Sequence, residues 1–555
     1  MCNRTGWLMF VAPAVLLSFL TIGSTLAASP TPRPATPDGP LPPIAEMEQA
    51  LTANLMAQGL ETSGGYFDLL DSSDCPEIVP VMGMCYSPNP VAPYILPAMV
   101  PWHDEFVDPA TRKAFGAVRP GHSFLFRLDP REAIVIMAEL PPPARYFGCQ
   151  TYVFTRRGSI NTSNPVYKFL SLLYPEKLNL FFRLSPNPDR VLLFASLSNA
   201  INNVVIERQS GASFGLHRVF IITPDQSMDR MIRNFLTSTG VLSDTIFTEP
   251  IPSSMNLGLG ENADDFVVVM RYAMPESEEQ GQWWREELPL TLIRVRSTDP
   301  SWVPEPYPSD FSPEDRTANS ELDLMTDLDT LNNAVRARWG LPPLTRDPTR
   351  PKDRLFELQR PDQINLVGPA CVKINMHCLA DTQDTNYQYS ANLSLDHGNI
   401  IAIVGTLGVE TRNATYVGLG LTRAEDLVGV ANVSDPELKG TAIGYTDTIS
   451  SEVLDKFFVW YVSHDCSRVN TANCTEISES DIPRGGTLVV SLRDYIVPDT
   501  QRGPNTEPLY DKGPVPILAS WVNVIPGPQY LPVIFKDWPV EATTTKNLDG
   551  RAVLR

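Results

Sequence analysis

Phe126-Arg127-Leu128-Asp129-Pro130 and Phe182-Arg183-Leu184-Ser185-Pro186 open two stretches that share one order of events. After the first comes an apolar run over 134–137 and then Ala138-Glu139-Leu140. After the second comes a run over 191–194 and then Ala195-Ser196-Leu197. Each continues to a Phe-Gly pair (Phe147-Gly148, Phe214-Gly215), to a strand ending on Thr155 or Thr223, and to a helix. The pattern reads as a ββα unit written twice, over 126–174 and 182–240.

The two helices carry the signature independently of the matched letters. Asp225 is placed to cap a helix whose Met228, Met231, Ile232, Phe235 and Leu236 fall on one face, with Gly240 to end it. Asn164 caps the other, Pro165 takes the first helical position where its missing N–H costs nothing, and Val166, Phe169, Leu170 and Leu173 make the apolar face.

Working outward, 555 residues exceed what one core organises, and 52 prolines favour short strands and irregular connections. The expected class is an α+β N-terminal domain with a duplicated ββα unit, followed by a mostly antiparallel, sandwich-like β domain. Residues 1–27 read as a signal peptide, with Arg4 ahead of an apolar core and Thr25-Leu26-Ala27 at the cleavage end. Residues 28–43 are a Pro-rich tether, 44–297 the α+β domain, 298–352 a linker with one docking helix, and 353–555 the β-rich domain. In the last of these, short β-prone runs lie at 400–404, 415–421, 457–462 and 487–492. The segment 514–539 is expected to wrap back across a sheet. The excursion 276–287 is a charged loop in this reading, and the helix over 324–339 docks one domain on the other.

Export implies an oxidising compartment, and the cysteines agree. Cys75 and Cys85, Cys371 and Cys378, and Cys466 and Cys474 form three close pairs with disulfide rather than zinc spacing, leaving Cys149 as a buried thiol. Sequons stand at Asn161, Asn392, Asn413, Asn432 and Asn473. A net charge of −20 argues against nucleic acid or an anionic bilayer as partner, and no later stretch is long enough to span a membrane.

Residues able to carry chemistry are scattered. His103, Asp104 and Glu105 share a Pro-flanked loop. Ser213 lies in a GxSxG string, which makes a nucleophile only between a strand and a helix. His464 and Asp465 follow a strand beside a disulfide. Asp381 and Asp384 offer oxygen ligands of the kind Ca²⁺ accepts, without EF-hand spacing, so no metal is expected. No Gly-rich phosphate loop supports a cofactor. Trp283 and Trp284 could stack on a planar ligand or fold onto the sheet. Arg127 and Arg183 could face each other and hold a carboxylate or sulfate, or each pair with an acid of its own unit, Glu132 or Asp189.

The reading that follows is a secreted, disulfide-stabilised, extracellular or wall-associated binding protein for a small molecule, carbohydrate or matrix component. The alternative is a secreted hydrolase or cyclase-like enzyme with its site in the interdomain cleft.

Overall fold

The apolar runs are unbroken because both faces of their strands are covered. Ala133, Val135 and Met137 enter one core, Ile134, Ile136 and Ala138 the other. Val219 and Ile221 part from Phe220 and Ile222 in the same way. This computed structural model describes residues 43–555 except 71, 86–92, 174, 310–323, 344–355, 358–365, 383, 391, 397–398, 409–413, 448, 470–471, 497–516, 524–544, 547–551 and 554–555.

The first elements are α1 (Ile44–Ala57), β1 (Glu61–Leu70), α2 (Cys75–Met82) and β2 (Tyr94–Met99). The paired stretches supply β3 (Glu132–Glu139), β4 (Ala144–Arg157), α3 (Pro165–Leu173) and α4 (Leu178–Phe181). They go on to β5 (Arg190–Ser196), β6 (Ile201–Asn202), α5 (Asn203–Ser210), β7 (His217–Thr223) and α6 (Gln226–Ser238). Next come β8 (Ile246–Pro250), β9 (Asp265–Pro275), α7 (Glu278–Glu287) and β10 (Leu290–Arg296).

Among the described residues these strands form one ten-stranded sheet ordered β5-β4-β9-β2-β1-β10-β3-β7-β8, with β6 beside β4. β7 and β8 are parallel, whereas β3 pairs with β7 and β5 with β4 antiparallel. Each stretch's first strand therefore lies beside the other stretch's last. The registers are unequal: Ile134 faces Ile222, but Val191 faces Arg156, and a bulge interrupts β4 between Val153 and Thr155.

The sheet curls until its ends meet. Glu249 of β8 accepts hydrogen bonds from the Thr151 amide (2.5 Å), Thr151 Oγ1 (2.7 Å), Ser198 Oγ (2.7 Å) and Gln150 Nε2 (3.1 Å), so the last strand is tied to β4 near the opposite edge. On the outer face, Met47, Leu51 and Leu55 of α1 and Met228, Ile232 and Leu236 of α6 cover β3, β7 and β10. Asp225 accepts from the Ser227 amide at 2.9 Å and Asn164 from the Val166 amide at 2.8 Å, so both expected caps form.

The second part begins with α8 (Met325–Arg338), β11 (Phe356–Glu357), α9 (Gly368–Ile374), β12 (Thr385–Tyr389), β13 (Leu393–Ser394) and β14 (Asn399–Thr406). It continues with β15 (Ala414–Arg423), β16 (Gly429–Ser434), β17 (Phe457–Ser463), β18 (Cys474–Glu476), β19 (Thr487–Ile496) and β20 (Ile517–Asn523). The strands make two sheets, β11-β12-β19-β15-β16 with β13 on β19, and β18-β17-β14-β20, antiparallel apart from β17–β18. Ile401, Ile403, Phe458 and Val462 share a core with Leu419, Leu421, Val490 and Leu492 of the other sheet.

Two expectations are corrected, and two strands went unforeseen. The helix expected to dock domain on domain is α8, whose Leu328, Leu331 and Val335 instead cover Ile400, Ala402 and Val404, the second face of β14. The charged excursion at 276–287 is not a loop but α7. β1 and β2, which the sequence reading passed over, hold the middle of the large sheet. The glycines that disguise β1 are required there, because a Cβ on Gly65 would lie 2.2 Å from Ala98 O. The segment 514–539 lies largely outside the described residues.

The two parts share buried surface. Residues 377–380 run along edge strand β5, with the amides of His377, Cys378 and Ala380 donating to Phe181 O, Leu193 O and Phe194 O. Leu366, Met376, Leu379 and Tyr387 join the core inside the large sheet. Disulfides join Cys75 to Cys85, Cys371 to Cys378 and Cys466 to Cys474, and Cys149 is free and buried. Among the described residues no helix is long and apolar enough to cross a membrane.

Candidate binding surface

α7 is a short helix made rigid from both ends. Ser277 caps it through the Gln280 amide (3.4 Å), Glu278 and Glu279 sit where the helix dipole favours anions, and Leu288 closes it in the left-handed region with φ 40°. Gly281 and Trp284, three apart, face the sheet. A Cβ on Gly281 would come within 2.6 Å of Pro275 Cγ, so only glycine lets the helix sit this low. Trp284 then reaches Tyr272, ring centroids 5.2 Å apart, and its indole N–H donates to Glu139 O at 2.9 Å.

That anchorage turns Trp283 outward, where it is 51% exposed. Its neighbours one turn away, Glu279, Gln280, Glu286 and Glu287, are all exposed. The result is an exposed indole on an anchored helix, with carboxylate and amide side chains one turn to either side. Such a surface can stack on an apolar ring face while accepting hydrogen bonds from hydroxyls around it. Of the two tryptophans named from sequence, the structure presents one and buries the other. Trp302 is half-buried, with Nε1 donating to Asp225 Oδ2 at 2.7 Å.

Among the described residues the histidine candidates do not meet a buried acid. His103 is exposed, 3.6 Å from Asp104 Oδ1. Burial pushes the Asp104 carboxyl up, but Arg296, paired with it at 2.9 Å, helps to hold it below the ordinary value. The Glu105 side chain is buried and committed to Arg294 (2.8 Å) and the amides of Trp102 and Arg127. Ser213 follows helix α5 and precedes strand β7, the reverse of a nucleophile elbow. His464 lies between Ile477 O (2.7 Å, Nδ1) and Leu395 O (3.0 Å, Nε2), and Asp465 caps a single turn through the Ser467 amide.

Asp381 and Asp384 face inward. Asp381 accepts from Ser196 N, Ser196 Oγ and the Gly368 amide, and Asp384 from Tyr146 OH and Asn202 Nδ2, both at 2.8 Å. Among the described residues no group of three His, Cys, Asp or Glu side chains is placed to hold a metal ion.

The two arginines part company. Arg127 is fully buried and pairs with Asp265 at 3.1 Å, which also meets Arg190 at 3.2 Å. A cavity of about 10 Å³ beside it, lined by Phe106, Asp108, Thr111 and Ser123, has room for one water. Neither Glu132 nor Asp189 takes the role expected of it. Glu132 pairs with Arg294 at 2.7 Å, and burial pushes its carboxyl up to about 7 against that charge. Arg183 has no acid partner among the described residues.

The sequence reading missed a buried polar centre where the two parts meet. Arg271 of β9 and Arg493 of β19, each 1% exposed, both direct Nη2 at Ala380 O at 3.4 Å. Arg493 lies 4.1 Å from the Tyr387 ring centroid and Arg271 5.1 Å from that of Tyr94, whose phenol the two guanidiniums pull down against the effect of burial. Leu379 and Ala380 are consecutive left-handed residues at φ 56° and 55°, which the Cys371–Cys378 loop holds in place. A lone arginine inside the apolar run of β9 was the available signal.

Of the sequons, Asn161, Asn392 and Asn432 are exposed. Asn473 is half-buried with its amide on Val459 O, and Asn413 lies outside the described residues.

No family model matches the chain, and no curated protein matches it. Two solved structures align over much of its length. One is an uncharacterized protein from Burkholderia cenocepacia, 9% identical, with 87% of each chain covered and a TM-score of 0.36. The other, from Vibrio parahaemolyticus, is 9% identical, with 71% of this chain and 88% of that one covered and a TM-score of 0.29.

Proposed function

We propose that the protein is an exported binding protein that recognises carbohydrate through the Trp283 face of α7. The observation that carries the reading is the asymmetry of the tryptophan pair: Trp284 is 1% exposed and anchors the helix, while Trp283 is 51% exposed with acceptor side chains one turn to either side. Anchoring the helix through Trp284 fixes the backbone that presents Trp283, which lowers the ordering cost of binding. Three disulfides support secretion, as does the apolar segment near the start of the chain, with cleavage after residue 27. The exposed sequons at Asn161, Asn392 and Asn432 fit a surface glycoprotein.

Within this reading, 44–297 and 353–555 are domains that have come to share a core, the second a sandwich. The reciprocal pairing of β3 with β7 and β5 with β4 supports descent of 126–174 and 182–240 from one unit. The enzyme alternative draws little support from His103, whose nearest described carboxylate is the exposed Asp104 at 3.6 Å, or from His464, whose ring nitrogens face the carbonyls of Ile477 and Leu395.

The test is an array of immobilised oligosaccharides probed with the mature protein and Trp283→Ala. Selective retention of the native protein, weakened roughly thirtyfold or more in the variant at unchanged unfolding midpoint, is expected. Equal retention of both proteins, or none of either, overturns the proposal.

A further inference from the structure

Arg183 stands between α4 and β5 with its guanidinium laid over Gly83. A Cβ there would lie 2.2 Å from Nη1 and 2.5 Å from Cζ, and Gly83 is in any case left-handed at φ 72°. Gly83 ends α2 inside the loop closed by Cys75–Cys85. Close enough to feel the charge of Arg183 is His377, next to Cys378 of the Cys371–Cys378 bridge, its amide on Phe181 O (2.7 Å) and its Nδ1 on Leu180 O (3.0 Å). Two disulfide-stapled loops thus fix the surroundings of one guanidinium.

Its electrostatic surroundings are incomplete. The carboxyl-terminal end of α2 offers about half a negative charge. Among the described residues no carboxylate pairs with Arg183, and burial alone lowers its basicity, with no acid to restore it. His377 is fully buried, its Nε2 lacks a hydrogen-bond partner among the described residues, and burial together with the charge of Arg183 pushes the ring down to about 4, so it is neutral. The chain as a whole carries −20, yet none of the described carboxylates neutralises this half-buried cation. A guanidinium withdrawn from water without an acid is costly to a fold, and its planar fork matches the geometry of an oxyanion.

We propose that Arg183 is a binding site for a small oxyanion, a carboxylate, sulfate or phosphate group taken bidentately by the outward edge of the guanidinium. His377, buried and neutral nearby, adds no competing charge to the site. The acidic surface repels extended polyanions and favours a compact anion. The site is independent of Trp283, and either reading can fail without the other.

The test uses the full-length secreted protein with its disulfides intact, titrated with sulfate, phosphate or acetate against chloride at matched ionic strength. The native unfolding midpoint should rise with at least one oxyanion beyond the chloride control, and the preferred probe separates the three chemistries. Arg183→Gln should weaken binding roughly tenfold or more. By linkage, the His377 ring proton should titrate at higher pH when the anion is bound, because one of the influences holding it down is neutralised. If Arg183→Gln does not fold, that NMR titration on the native protein decides alone. No oxyanion-specific response, or the same response in Arg183→Gln, overturns the proposal.

Discussion

Replacing Glu249 with alanine should open the seam at which the large sheet closes. The carboxylate collects four donors from Thr151, Ser198 and Gln150, between 2.5 and 3.1 Å, in a fully buried site. Each donor left without a partner in such a place costs about 1–3 kcal/mol. The four share a single acceptor group, so their losses overlap, and burial of the carboxylate offsets part of its gain. A net destabilisation of about 3–5 kcal/mol follows. Glu249→Gln keeps the volume and one acceptor oxygen but turns an amide N–H toward the remaining donors, so it should cost about half as much. Urea titration followed by tryptophan fluorescence gives the loss, and amide hydrogen exchange across β8 and β4 localises it. A loss below about 1 kcal/mol in Glu249→Ala, with the protection of β8 amides unchanged, would refute the view that this carboxylate closes the sheet.

His377 should make stability acid-sensitive. The unfolded ring takes a proton near 6.5 and the buried ring at about 4, so the unfolded chain binds more protons between those values. The contribution, about 3 kcal/mol, is present above pH 6.5 and lost as pH falls toward 4. His377→Gln should flatten that part of a urea-midpoint profile, and a variant as acid-sensitive as the native protein would contradict it. Cys149, whose thiol burial pushes well up, should resist iodoacetamide in the native protein and react only after unfolding, as read by peptide mass mapping.

What the sequence made legible was local. The caps at Asp225 and Asn164, the spacing of Met228, Ile232 and Leu236, and the three close cysteine pairs act over at most a dozen residues, and all are formed. What it hid was set by distant partners. β1 carries Gly64 and Gly65, which lower strand propensity, yet Gly65 is needed for the approach of Ala98 O. Glu249 reads as one acid among 64 until the sheet curls it against Thr151. Arg271 and Arg493 are far apart in the chain and meet only at Ala380 O. At α7 the tryptophan pair was visible, but which ring faces out is decided by Gly281 and its contact with Pro275.

The central claim, that the Trp283 face of α7 is where a ligand docks, is tested most directly by isothermal titration with the oligosaccharide best retained by the native protein. The account predicts saturable heat for the native protein, near-complete loss for Trp283→Ala, and partial retention for Trp283→Phe, which keeps an aromatic face. Full binding by Trp283→Ala would contradict it.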